Sequence, residues 1–414
     1  MDTLGNRIRT LRKQRKMTLA TLAGDHITKG MLSLIENDKA NPSMETLQYI
    51  AEQLQVDVSS LLEEVNIVEL RKTLEKVEEI YNANTRFEDG PRLEIVNLIK
   101  PYIEELPVCY ESGKLLYYYT DVLSDLKMDN WEQSLERGLA MFKEMNMMNE
   151  WMKMEILRFS IYFYEHNYEQ ALNVGLATEE EAKNKHYMID PITVLDLLYY
   201  IAVTYLGINE RKKGMDYLQK GLQLSKKNRL FYKIDDIYRV ACYQAIMDGD
   251  DQARTYYFNK LDQYATFAED KLSYSYMFLI QIHYYNSFAR DYEKASNLLE
   301  QYAKLKIEDF TNTYFYLVEK GKNLYYLSHI DEALQELEKF KEMPPYLHHP
   351  YDLSMLAEVY SYKALCYEQK GYLSKALEEA KRGVDFIEPF IDTPYKKFIN
   401  QTYELLCNKA DQLT

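Results

Sequence analysis

A chain of 414 residues, 47% hydrophobic and 28% charged, has material for two or three folded units and no compositional mark of disorder. A net charge of −15 argues against nucleic-acid binding along the whole length, and four scattered cysteines with no CxxC pair argue against a zinc site or disulfide framework. Only 14 Gly and 10 Pro leave little room for turns, and no apolar leader or membrane-length apolar run is present, so the chain reads as all-α, cytoplasmic and without a membrane partner.

The first predicted helix spans Leu4 to Arg15, with Leu4, Ile8 and Leu11 at helical spacing among basic residues. Residues 1–42 carry eight Lys or Arg against four Asp or Glu, so positive charge collects at this end. Thr18 is placed to cap a short helix with Leu19, Leu22 and Ala23 inward, Gly24-Asp25-His26 turns the chain, and Thr28 caps the next helix. There Leu32 and Ile35 are core, leaving Lys29, Gly30, Ser33 and Leu34 on other faces. A fourth helix from Ser43 buries Leu47, Ile50, Ala51 and Leu54, and a fifth from Ser59 closes the bundle with Leu61 and Leu62.

That succession is the geometry of a helix-turn-helix, whose second helix enters the major groove while basic side chains and backbone N–H groups hold phosphates. Lys29 can donate to guanine O6/N7, Ser33 can reach a base or phosphate, Leu34 can meet a thymine methyl, and Gly30 permits close approach. Thr18, Thr28, Asn37, Lys39 and Asn41 complete the expected DNA-contact set. The competing reading is a small helical bundle that binds protein. The residues resemble the Xre/Cro-like helix-turn-helix family in the basic run from Ile8 to Arg12, in Ile35-Glu36, in Asn41-Pro42-Ser43, and in the Leu47, Ile50, Ala51, Leu54 helix. Leu19 departs from that family, many members of which carry a phosphate-binding Gln there.

Past this reader (residues 1–66), Ile67, Leu70, Leu74, Val77 and Tyr81 predict a connecting helix within residues 67–90. It either packs on the first repeat or starts a coiled coil, and Glu88-Asp89-Gly90-Pro91 ends it. Residues 92–110 are expected to add one more helix. From residue 91 to 414, segments such as NWEQSLERGL, NYEQALNVGL and HIDEALQELE recur, with small positions Ser134, Ala171, Gly214, Ala253, Ala295, Ala333 and Ala376 at intervals of 37 to 43 residues. In four of them a second small residue stands twelve positions upstream (Ala202, Ala241, Gly321, Ala364), so paired helices can approach closely. A fixed period of this size means stacked helix pairs with a concave groove suited to a peptide or partner helix. The pattern resembles tetratricopeptide repeats, which implies a right-handed α-solenoid.

Groove candidates are polar residues on the first helix of each repeat: Tyr200, Arg239, Gln281, Asn286, Glu319 and Asn323. The alternative for each is a solvated face or a helix cap. The 39 tyrosines mostly suit helix–helix contacts, and runs such as DLLYYIAVTY can also line a groove. His348-His349, among prolines, belongs to a loop without the spacing of a metal site. No HExxH, GxSxG, P-loop or Gly-rich dinucleotide turn is present, so neither an enzyme nor a cofactor is expected.

Together the two regions resemble the peptide-sensing regulators of Gram-positive bacteria, the PlcR, PrgX, NprR and Rap group, and look most like the NprR/NprA neutral-protease activators. The resemblance implies a short signalling peptide as ligand, a double-stranded DNA operator, a homo-dimer or higher homo-oligomer, and activation of extracellular protease genes. The alternative it leaves open is a repeat region that sequesters a response regulator, with DNA binding secondary.

Overall fold

The computed structural model describes residues 3–62, 67–83, 88–183, 188–305 and 310–412. Among these every regular element is helical, and the chain divides into two compact units, Met1–Arg158 and Phe159–Thr414.

The first unit begins with five helices: α1 Leu4–Gln14, α2 Leu19–Ala23, α3 Lys29–Glu36, α4 Met44–Gln53 and α5 Val58–Leu62. Thr3, Thr18, Thr28 and Ser43 each cap a helix through the side-chain oxygen, satisfying an amide that the first turn leaves open. Ile8, Leu22, Leu32, Ile50, Leu54 and Leu61 are fully buried in one core. Each such side chain contributes about 1.5–3 kcal/mol relative to exposure. Leu62 does not close the bundle as expected. It is 46% exposed, because neighbouring side chains on a helix point about 100° apart and Leu61 takes the inward direction.

Next come α6 Ile67–Asn82, α7 Asp89–Ile99, α8 Tyr110–Asp125 and α9 Trp131–Glu144. Helix α6 packs on α7 and α8 through buried Leu70, Leu74 and Val77. Arg71 pairs with Glu111, and the Tyr118 hydroxyl donates to Glu78. Gly90 and Pro91 do not break a helix but stand in the first turn of α7, where the amide that Pro lacks would have no partner anyway. Nor do residues 92–110 form one helix: α7 ends at Ile99, two residues before Pro101, and α8 starts at Tyr110. Residues 84–87, also expected in this region, lie outside the described residues.

Helix α10 Met148–Tyr164 spans the division between the units. The second unit continues with α11 Tyr168–Ala182, α12 Pro191–Gly207, α13 Arg211–Asn228, α14 Ile234–Asp248, α15 Asp251–Ala268 and α16 Lys271–Tyr284. A π-helical turn, Tyr285–Ala289, extends α16. Then come α17 Tyr292–Lys304, α18 Phe310–Tyr326, α19 Ile330–Leu337, α20 Pro350–Gln369, α21 Leu373–Ile387 and α22 Pro394–Asp411.

Pairs α12/α13, α14/α15, α16/α17, α18/α19 and α20/α21 pack as antiparallel neighbours. The small residues explain how. A Cβ on Gly214 would lie 2.6 Å from Leu206 Cδ2 and 3.0 Å from the Ala202 carbonyl oxygen, so the two small positions twelve apart face each other. Ala364 and Ala376 meet in the same way in one buried cluster. The fourth repeat differs: Ala253 is only partly buried, and α15 makes its tight contact through fully buried Leu261 and Ala265. No helix among the described residues is long and apolar enough to cross a membrane.

Candidate nucleic-acid interface and a tyrosine-lined cavity

Helix α3 is fixed from below. Leu32 and Ile35 lock it into the core, and Glu36 receives both arms of the Arg12 guanidinium at 2.6 and 2.8 Å. Arg12 also donates to the Met17 carbonyl at 2.9 Å, which joins α1 to the turn before α2. A bidentate charged pair of this kind is strong and directional, so the angle of α3 in the bundle is set. At the other end Thr28 accepts from the Met31 amide at 3.1 Å.

What remains uncovered is the face that could meet DNA. Lys29, Gly30 and Leu34 are exposed, with Ser33 half-buried beside them. Met31 is 40% and Leu34 45% exposed, three residues apart and therefore on one face. Met31 shares this uncovered face, as its three-residue spacing from Leu34 dictates. Asn37 donates to the Ser33 carbonyl at 2.6 Å and so caps α3 at its C-terminal end. Thr18 accepts from the Thr21 amide and shares its hydroxyl with Thr21, while Lys39 and Asn41 are exposed past the end of α3. Arg9 and Lys13 on α1, and Lys16 just past its end, add exposed positive charge.

The second unit holds a cavity of about 250 Å³ between the end of α10, α12, α14, the segment before α20, and the start of α22. Seven tyrosines line it (Tyr164, Tyr199, Tyr200, Tyr243, Tyr346, Tyr351 and Tyr395), with Phe163, Met247 and Met355. Burial pushes the hydroxyls of Tyr199, Tyr200, Tyr243 and Tyr395 upward, so they stay protonated hydrogen-bonding groups at neutral pH. Arg239 is the cationic wall. It reaches Asp236 at 2.5 Å and covers the Tyr276 ring at 4.4 Å, while its Nε has no hydrogen-bond partner among the described residues. Apolar rings with a few convergent polar groups are what a small-ligand or peptide site needs.

Of the six expected groove residues, Tyr200 and Arg239 line this cavity together, and Gln281 sits half-buried on α16 outside its lining. Asn286, Glu319 and Asn323 are 1%, 2% and 1% exposed and bond to one another instead. Asn286 donates to Glu319 at 2.9 Å, and Asn323 donates to the Asn286 side-chain Oδ1 at 3.0 Å. The same cluster contains His283, 2.7 Å from Glu319 and 2.8 Å from the Tyr395 hydroxyl, and Lys322, 2.6 Å from Glu358 and 3.7 Å from Glu319. Burial alone would raise Glu319, but Lys322, His283 and Asn286 hold it down at about 2. Burial drives Glu358 upward against the pull of Lys322, and the Glu319 charge adds to the rise. Tyr395 belongs to both cavity and cluster, a link across 112 residues that no local motif announces.

Residues 8–61 match the helix-turn-helix family model. This segment is a helix-turn-helix domain. The immunity repressor protein of Bacillus phage phi105 is 37% identical over 67 residues, which are 16% of this chain and 46% of the repressor, so the match spans under half of that relative's length. Fainter likenesses run over more of the chain. PlcR of Bacillus thuringiensis, solved in complex with the peptide PapR7 and DNA, is 16% identical, with 65% of this chain and 96% of PlcR covered at a TM-score of 0.37. The pheromone receptor Rgg2 of Streptococcus dysgalactiae is 16% identical with a TM-score of 0.33, covering 68% of this chain and 98% of its own. The competence regulator ComR of Streptococcus vestibularis is 19% identical with a TM-score of 0.31, covering 66% and 94%.

Proposed function

We propose that the chain is a DNA-binding transcription regulator whose helix-turn-helix domain is controlled by a short signalling peptide held in the repeat region. The observation that carries the first half is the recognition helix α3. Its inner side is locked by Leu32, Ile35 and the Arg12–Glu36 pair, while Lys29, Met31 and Leu34 stand uncovered at the end that would enter a major groove. The second half is supported by the cavity that Tyr200, Arg239 and their tyrosine neighbours surround. In this reading residues 1–66 are the reader, 67–90 the connector and 91–414 the sensor, and the chain works in the cytoplasm as a homo-dimer or higher homo-oligomer. A dimer sets two recognition helices on half-sites about 34 Å apart or a multiple of that. The finer reading is activation of extracellular neutral protease genes. A peptide moves such a switch only by its difference in affinity between two states of the protein.

The test is selection of duplexes from a randomised pool by the full chain, then isotherms on the selected site at several salt concentrations. A steep fall of affinity with salt is expected, and Lys29→Ala should weaken binding at least about fivefold. Failure to select any sequence, or binding indifferent to salt and to Lys29, overturns the reading.

A further inference from the structure

The connection between α19 and α20, residues 338–349, is long for this array; Gly249 and Asp250 alone join α14 to α15. Connections of this length are uncommon inside compact units. This one, EKFKEMPPYLHH, runs into Pro350, and its prolines favour extended backbone over helix. Pro344 and Pro350 are buried. Between them the segment lies against helices that come far earlier in the chain. The Tyr168 hydroxyl donates to the His348 carbonyl at 2.6 Å, across 180 residues. His349 Nε2 lies 3.0 Å from the Val203 carbonyl oxygen, across 146 residues, and donates to it. The His348 ring packs on Tyr164 with centroids 4.6 Å apart.

These are the contacts a bound peptide would make: a backbone carbonyl taking a hydroxyl proton, a side chain stacked on tyrosine, and a donor given to a helix carbonyl. The segment also forms one wall of the cavity, through Tyr346 to His349. The space left, about 250 Å³, falls below the roughly 300–1,000 Å³ of ordinary ligand pockets. A heptapeptide is larger than this space, so it either extends out of the cavity or takes the place of the segment.

We propose that residues 344–349 are a tethered internal competitor, a strap that occupies part of the ligand groove and that an incoming peptide displaces. This rests on the reading of the repeat region as a peptide sensor. The strap, which turns at Pro344 to Leu347, also defines the ligand class: a short peptide with aromatic or aliphatic side chains, offering a backbone carbonyl to Tyr168 and a neutral N–H donor to Val203. Because a tether holds its occupant at an effective concentration in the millimolar range, weakening the strap raises the apparent affinity of any free peptide.

The probe is a fluorescein-labelled heptapeptide with the strap's own sequence, residues 344–350, titrated into the full chain without DNA. The triple change Tyr346→Gly, Leu347→Ser, His348→Gly releases the strap while keeping its length and Tyr168, whereas Tyr168→Phe removes a donor that strap and probe share. Hydrogen exchange at residues 338–349 reports release directly. Faster exchange at the strap, with the probe bound at least about tenfold more tightly than by the unaltered chain, is expected for the triple variant, and Tyr168→Phe should quicken strap exchange without that gain in affinity. In the triple variant, faster exchange with unchanged probe affinity or the absence of probe binding overturns the proposal, as does unaltered exchange in both variants. Since no DNA is present, failure here leaves the DNA-reading assignment standing, and failure of the duplex selection leaves this result standing.

Discussion

Lys322 offers a sharp test of how the second unit is held together. Its ammonium is 1% exposed, 2.6 Å from Glu358, 3.7 Å from Glu319 and 2.8 Å from the Ser287 hydroxyl, so it neutralises two carboxylates in the interior at once. Lys322→Met keeps an apolar stem but leaves Glu358 without a cation and Glu319 with only His283 and Asn286 beside it. Breaking a buried ion pair from one side costs about 3–5 kcal/mol, because the remaining charge stays desolvated. If exchange is limited by local opening, that corresponds to amides in α18 and α20 exchanging from about one hundred to several thousand times faster. Acid should soften the effect. Glu358 already holds its proton more firmly than in the unfolded chain, and losing Lys322 raises it further, so the variant gains stability relative to the parent as pH falls from 8 towards 5. Adding Glu358→Gln removes one orphaned charge and should recover part of the loss. The assay is hydrogen exchange with mass spectrometry on parent, single and double variants at both pH values. An acceleration below about fivefold for Lys322→Met, or no recovery in the double variant, would refute the account of the cluster as a mutually dependent ionic core.

Two further outcomes come from the geometry. His349 uses both ring nitrogens in its neutral form, Nε2 donating to Val203 and Nδ1 accepting from the Tyr351 amide at 3.3 Å, and burial lowers its proton affinity. Asp352 opposes that shift while Arg239 adds to it, and His166, also lowered by burial, packs on His348. A depressed histidine contributes its stability fully above about pH 6.5 and loses it as pH falls through the folded-state value. Strap exchange, corrected for intrinsic rate, should therefore quicken between pH 7.5 and 5.5. His349→Asn, which keeps a capping acceptor but does not titrate, should flatten that dependence, and an unchanged slope would contradict the role given to His349. In the first unit, a Cβ at Gly5 would fall inside contact distance of the Ile35 carbonyl oxygen, where backbone cannot yield. Gly→Ala inside a helix ordinarily gains up to about 1 kcal/mol, so a loss of about 1–3 kcal/mol for Gly5→Ala, read from exchange in α1 and α3, reverses the usual sign.

The helix-turn-helix was legible because its determinants are local. Thr18, Thr28 and Ser43 cap helices through amides three residues away, and Leu32 and Ile35 declare the inner face of α3 by spacing alone. The helix pairs of the second unit were legible for a similar reason, since Gly214 and Ala202 need only a twelve-residue interval to meet. The polar interior was not. Asn286, Glu319 and Asn323 have the composition of a groove, and no pattern in a sequence separates a polar side chain waiting for a ligand from one already satisfied by its neighbours. The cavity was still further out of reach: Tyr200 and Arg239 were foreseeable as candidates, but the loop through His349 and the hydroxyl of Tyr395 arrive from more than a hundred residues away. Periodicity fixes which helices pair and which face turns inward, because both depend on neighbours a few bonds apart. Which inner faces then converge, and whether they enclose a ligand or each other, depends on how the stacked pairs bring distant segments together, and tertiary structure alone decides that.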